Sequence, residues 1–153
     1  LNAGLKEHSI EVQVPFIQYL NPNARILPIL ISSFNYKELA LAGEELAQLI
    51  RRFSDQEILI VAATDMSHYI SASAAKMKDE LAIDRIQDLD PQGLLETVKT
   101  ERITMCGVSP VTTALLVSKE LGADSTRLIE YTNSGEVSGD YHQVVGYLSM
   151  TIY

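Results

Sequence analysis

The sequence predicts an α/β protein, a three-layer αβα sandwich around a largely parallel or mixed sheet. Two observations carry that expectation. Short continuous apolar runs, "ARILPILIS" at 24–32 and "EILIVAAT" at 57–64, suit strands covered on both faces, as in parallel sheets. Segments of helical periodicity lie between and after them, and alternating strands and helices fold into layered α/β domains. The 153 residues suit one domain, and no linker, repeat or low-complexity tract divides them.

The elements follow in order. "EHSIEVQVPFIQYL" at 7–20 places Ile10, Val14 and Ile17 at near-helical spacing, so a short helix is expected, with Pro15 able to kink or interrupt it. "NPN" turns the chain into the first apolar run, where Pro28 favours an edge or a bulge. In 36–53 the stripe Tyr36, Leu39, Gly43, Leu46, Ile50 and Phe53 predicts the clearest helix, and "SDQ" ends it before the second apolar run. Ser71 or Ser73 can cap a helix through residue 89. Asp90 and Pro91 start a shorter one carrying Leu94, Leu95 and Val98. Ser109 and Pro110 have the signature of another helix start, and Gly122 of its stop. "TRLIEYT" and "QVVGYLSMTIY" read as final strands, paired antiparallel or apart, joined by "NSGEVSGDY".

Composition narrows the function. Apolar residues at 46% and charged residues at 21% are ordinary globular proportions, enough to build a core. The net charge of −8, without a block of Lys or Arg, argues against nucleic acid as a partner. No apolar stretch approaches the ~20 residues of a membrane span, and no signal-peptide pattern opens the sequence, so a cytoplasmic location is expected. The single cysteine, Cys106, excludes an intramolecular disulfide and a multi-cysteine zinc site within this chain.

Four residues carry chemistry. Asp65 and His68 follow the second apolar run, and in layered α/β folds sites lie outside the carboxyl ends of strands. A carboxylate beside an imidazole can orient it and let the pair move protons or hold a ligand. Ordinary loop capping by Asp65 and a half-exposed His68 is an equal alternative on spacing alone. Cys106 lies just ahead of an expected helix start, where backbone N–H groups favour a thiolate; a small buried hydrophobe is the alternative. Gly107 beside it suggests a close backbone approach or a positive φ. His8 and Glu11 share a helix face at i and i+3. His8 could ligate a metal with Glu7 or Glu11 orienting it, though spacing alone favours a surface contact. His142 reads as a turn residue, and Tyr131, Tyr141, Tyr147 and Tyr153 as packing for the last strands. No dinucleotide fingerprint, phosphate loop or nucleophile elbow is present.

Taken in order and at their spacing, "EHSIEVQVPFI", "TDMSHY", "CGVSPVTTALL" and "YTNSGEVSGDYHQVVGY" resemble the Memo-like family, also called AmmeMemoRadiSam system protein B. The resemblance runs over essentially the whole chain and implies one domain over 1–153 with a fold similar to class III extradiol dioxygenases of the LigB type, lacking its N-terminal part. It implies a mononuclear metal centre of two histidines and one cysteine. His8 matches the second histidine and Cys106 the cysteine, while Asp65 and His68 match polar residues lining the same cavity. The first histidine of the pattern has no counterpart in this chain.

A His/Cys site suits iron or copper, and zinc less well, in preference to magnesium or calcium. The function so implied is a redox or dioxygenase-like metalloprotein with Asp65 and His68 in acid–base roles. The alternative is a non-catalytic protein that keeps the dioxygenase fold and binds a small molecule or peptide in the cavity. The family name further implies AMMECR1-like and radical SAM proteins as partners.

Overall fold

The computed structural model describes residues 8–53 and 55–153; Glu7 and Ser54 lie outside the described residues. A 3-10 turn over Glu11–Gln13 leads into α1, Val14–Leu20, whose first turn contains Pro15. A proline in the first turn gives up only an N–H that has no helical partner anyway, so Pro15 starts this helix rather than breaking it. Helix α2, Tyr36–Arg51, is capped by the Asn35 side chain, which accepts from Lys37 N–H at 3.0 Å. Its apolar stripe buries Leu39, Gly43 and Ala47. Gly43 permits the approach of α5: a Cβ there would stand 2.8 Å from Leu116 Cβ.

The strand β1, His68–Ile70, is followed by α3, Ala72–Gln87, and α4, Pro91–Thr100. Both caps follow the sequence: Ser71 Oγ accepts from Ala74 N–H, and Asp90 Oδ1 from Gly93 N–H at 2.9 Å. Helix α5, Val108–Glu120, starts one residue before Ser109, with Gly107 as its N-cap. Strand β2, Thr126–Asn133, the short turn of helix α6, Gly135–Ser138, and strand β3, Val144–Ile152, complete the chain. Gly139 takes φ +77° and ends α6, a conformation glycine adopts without strain.

The sheet has three strands in the order β1-β3-β2, both pairs antiparallel. Thr126 pairs with Ile152 and Asn133 with Gly146, which resolves the choice left open for the last two strands. Helix α3 lies against the sheet, while α5 contacts α4 and α2. Met66, Ile83, Ile86, Leu94, Ile103 and Leu115 are among the side chains of the core between these elements.

The α/β character is therefore present, but the described sheet is small and antiparallel rather than largely parallel. The difference lies in 24–32 and 57–64. Neither forms a ladder, and most of their large apolar side chains are open to solvent: Leu27 is 74% exposed and Leu59 83%. A strand needs a neighbouring backbone to satisfy its N–H and C=O groups, and among the described residues none pairs with these runs. Arg25 Nη2 donates to Gln56 Oε1 at 3.2 Å, which sets the starts of the two runs side by side.

Candidate metal centre

The run at 57–64 delivers Asp65 and His68 to the side of the segment that precedes α5. One ligand atom each from Asp65, His68 and Cys106 lies within 4.8 Å of the other two. His68 Nε2 stands 3.7 Å from Asp65 Oδ2. The thiol sits against the Asp65 backbone, whose N–H donates to Cys106 Sγ at 3.1 Å, and Cys106 N–H donates to Asp65 O at 3.3 Å. The sulfur thus accepts a backbone N–H in the contact that holds it beside Asp65.

Glycine makes this contact possible. A Cβ on Gly107 would lie 2.5 Å from Ala63 O and from Thr64 Cβ. The expectation of a close backbone approach is met, with φ at −99° rather than positive. Thr64 Oγ1 accepts from Gly107 N–H at 2.9 Å and donates to Asp65 O at 2.8 Å, fastening the two segments together.

His68 is fixed at two atoms by Thr104. Its backbone N–H donates to Thr104 Oγ1 at 2.7 Å, and its Nδ1 lies 2.8 Å from the Thr104 carbonyl. A carbonyl only accepts, so in the neutral ring Nδ1 carries the hydrogen and Nε2 keeps its lone pair toward Asp65 and Cys106. Orientation of one ring nitrogen by a carbonyl, with the other left free, is the usual arrangement of a metal-binding histidine. Tyr69 next to it takes φ +56° at the irregularity in β1, which separates the inward His68 from the 73%-exposed Tyr69 ring.

The structure thus brings together three of the four residues singled out in the sequence. Of these, Cys106 is exposed, and Asp65 and His68 are half-buried. His8 is not one of the group. It is exposed ahead of the 3-10 turn, its Nδ1 2.8 Å from Glu11 Oε2, the i, i+3 contact its spacing favours. Its other predicted neighbour, Glu7, lies outside the described residues. His142 is exposed, with its N–H donating to Asp140 Oδ1 at 2.8 Å, as suits a turn.

Three residues escaped the sequence reading. Thr64 and Thr104 act on sites far away in the chain, and nothing in their own neighbourhood announces it. Asp79 did leave a signal: it falls on the α3 stripe of Ala75, Ala82, Ile83 and Ile86, where a charge is out of place. It is fully buried, accepting from Ser67 N–H at 3.0 Å and from Tyr131 OH at 2.8 Å. Burial, and then the bond to Asp79, push the Tyr131 phenol well above its usual range.

The chain has relatives. A family model described as Memo-like protein matches residues 1–151, and the chain belongs to that family. A MEMO1 family protein of Methanopyrus kandleri is 37% identical over 98% of this chain and 53% of the relative. One of Metallosphaera sedula is 38% identical over 96% and 52%, and one of Aquifex aeolicus 40% identical over 97% and 55%. The chain spans about half the length of these curated relatives. No helix among the described residues is long and apolar enough to cross a membrane.

Proposed function

We propose that the chain carries a redox-active metal site built on Cys106, and that iron or copper is its metal. The observation that carries this reading is the convergence of Asp65, His68 and Cys106 on one point. The donor set fits such an ion. A thiolate and an imidazole select a soft or borderline transition metal, and the carboxylate adds charge and a hard oxygen. The free Nε2 of His68 and the half-open setting of the three residues leave them able to close on an ion by small side-chain rotations. Such an ion would supply one-electron chemistry and a place for dioxygen or substrate to bind.

The chain's own residues do the rest. Asp65 can accept a proton from a substrate or return one, its carboxylate standing beside the imidazole that would otherwise take that role. Thr104 keeps the His68 ring in one tautomer, and the Asp65 N–H holds the sulfur in place beside the carboxylate. A cavity of about 520 Å³ adjoins Cys106, lined by Phe34, Val98, Lys99, Ile103, Met105 and Val108. That lining would hold the apolar body of a small molecule or a peptide side chain.

His8 enters this reading as a further ligand through the family pattern, with the larger dioxygenase-like sheet and the AMMECR1-like and radical SAM partners as its wider setting. If the cavity binds ligand without chemistry, the same residues serve a non-catalytic binding protein, which the lining of the cavity also supports. Metal content after anaerobic loading with iron(II) or copper tests the reading. Cys106→Ser is expected to lose most of the bound metal while keeping its helical content. Undiminished metal in a folded variant would overturn it.

A further inference from the structure

We infer that Asp79, a residue outside the metal-binding group, is the positioning residue of that group: from the core it fixes the backbone between Asp65 and His68. The inference rests on the reading of Asp65, His68 and Cys106 as one site.

The first observation is the burial of a charge. Asp79 is fully buried in the middle of α3, and no cation pairs with it among the described residues. Taking a carboxylate out of water is costly, and well-packed apolar side chains usually stabilise a core better. The hydrogen bonds it makes must therefore do something that an apolar residue could not.

The second observation is where those bonds go. Oδ1 accepts from the N–H of Ser67, the residue before His68 and two after Asp65. The two neighbouring links of this loop run to β3: Met66 N–H donates to Gly146 O and Gly146 N–H to Ser67 O, each at 2.9 Å. The Ser67 N–H points away from β3, toward α3, and Asp79 is its acceptor. Without it, a buried N–H would lack a partner and the crossing from extended run to β1 would lose its hold on the α3 side.

The third observation is that β3 makes room for the carboxylate. Gly146 is the residue over which Oδ2 lies, and a Cβ there would collide with it. Tyr131 OH, donating to Oδ2 at 2.8 Å, closes the other side. The carboxylate is thus held between α3, β2 and β3, and the loop is hung from it. His68 then reaches Thr104 and Cys106 reaches Asp65 from a loop of fixed shape.

Cobalt(II) serves as the probe, with affinity read from its thiolate charge-transfer band. Asp79→Ala is expected to bind cobalt about 10–100-fold more weakly, the usual effect of removing a residue that orients ligands. Asp79→Asn is expected to restore most of the affinity, since its amide oxygen can accept from Ser67 and its NH₂ can donate to Tyr131. Gly146→Ala, which displaces the carboxylate without touching it chemically, is expected to weaken binding in the same direction and replaces Asp79→Ala should that variant not fold. Gly43→Ala, which destabilises the remote α2–α5 contact, is expected to leave affinity unchanged, so general instability is separated from positioning.

Amide exchange supplies a readout that needs no metal. At Ser67 it should accelerate in Asp79→Ala by far more than at Leu115 in the core. Equal acceleration at both sites, or cobalt affinity unchanged in both Asp79→Ala and Gly146→Ala, would overturn the inference. Should the native chain take up no cobalt, the metal reading fails, and the Ser67 exchange contrast alone decides whether Asp79 fixes the loop.

Discussion

His68 and Tyr131 show how much of this site depends on single hydrogen bonds. Thr104 satisfies His68 through both its hydroxyl and its carbonyl. Thr104→Val removes only the hydroxyl acceptor and leaves the His68 N–H to water, at a cost of about 0.5–1.5 kcal/mol; chemical denaturation should show the loss. The ring would keep its carbonyl partner, and with it the tautomer. Tyr131 makes a pH prediction. Its folded-state pKa is raised, so the folded chain holds that proton where the unfolded chain releases it. The stabilisation is full below the ordinary tyrosine pKa of about 10 and is lost as pH rises above it. Melting curves should fall on the alkaline side of pH 10, and Tyr131→Phe should flatten that fall. None of this was legible in the sequence, where Tyr131 reads as one strand tyrosine among several. The bond to Asp79 joins residues 52 positions apart, and only the pairing of α3 with the sheet brings them together.

Among the elements, local signals proved reliable where local chemistry decides. Ser71 and Asp90 cap their helices because a side-chain oxygen near free N–H groups needs no tertiary help. The predicted α2 stripe is fully buried only at Leu39 and Gly43, with Ala47 beside them, while Phe53 lies past the helix end and is exposed; α5 comes close at the glycine. Gly43→Ala should therefore destabilise by about 1–3 kcal/mol through overpacking, despite alanine's better helix propensity. A melting temperature that rises instead would show that α2 can shift away from Leu116. Gly107→Ala belongs to the same scale: it should push Thr64 away from the start of α5 and loosen the thiol's contact with Asp65 N–H. Faster exchange at the Asp65 amide would report that directly.

For the whole molecule, the apolar runs at 24–32 and 57–64 are the main departure from expectation. Their composition reads as buried strand, and composition records what a segment is fit to touch. Pairing depends on which backbones are present beside it, and these two runs have no ladder partner among the described residues. Exposed apolar segments with unpaired backbone associate with others like themselves. The chain alone should self-associate with rising concentration in sedimentation, and Leu27→Lys with Leu59→Lys should suppress it. A monomer at every concentration would show that the runs are covered in solution. The site was more legible than the sheet. Asp65, His68 and Cys106 could be singled out as residues able to bind or move protons, yet their joining needed the Gly107 contact with Ala63 and Thr64, which no spacing encodes.

His68 and Cys106 are proposed to act on one ion. Cobalt affinities of the native chain, His68→Ala, Cys106→Ser and the double variant form a cycle that tests it. Ligands of one ion are coupled, so the second substitution should cost much less once the first is in place. Losses that simply add, or an affinity untouched by His68→Ala, would contradict a shared site.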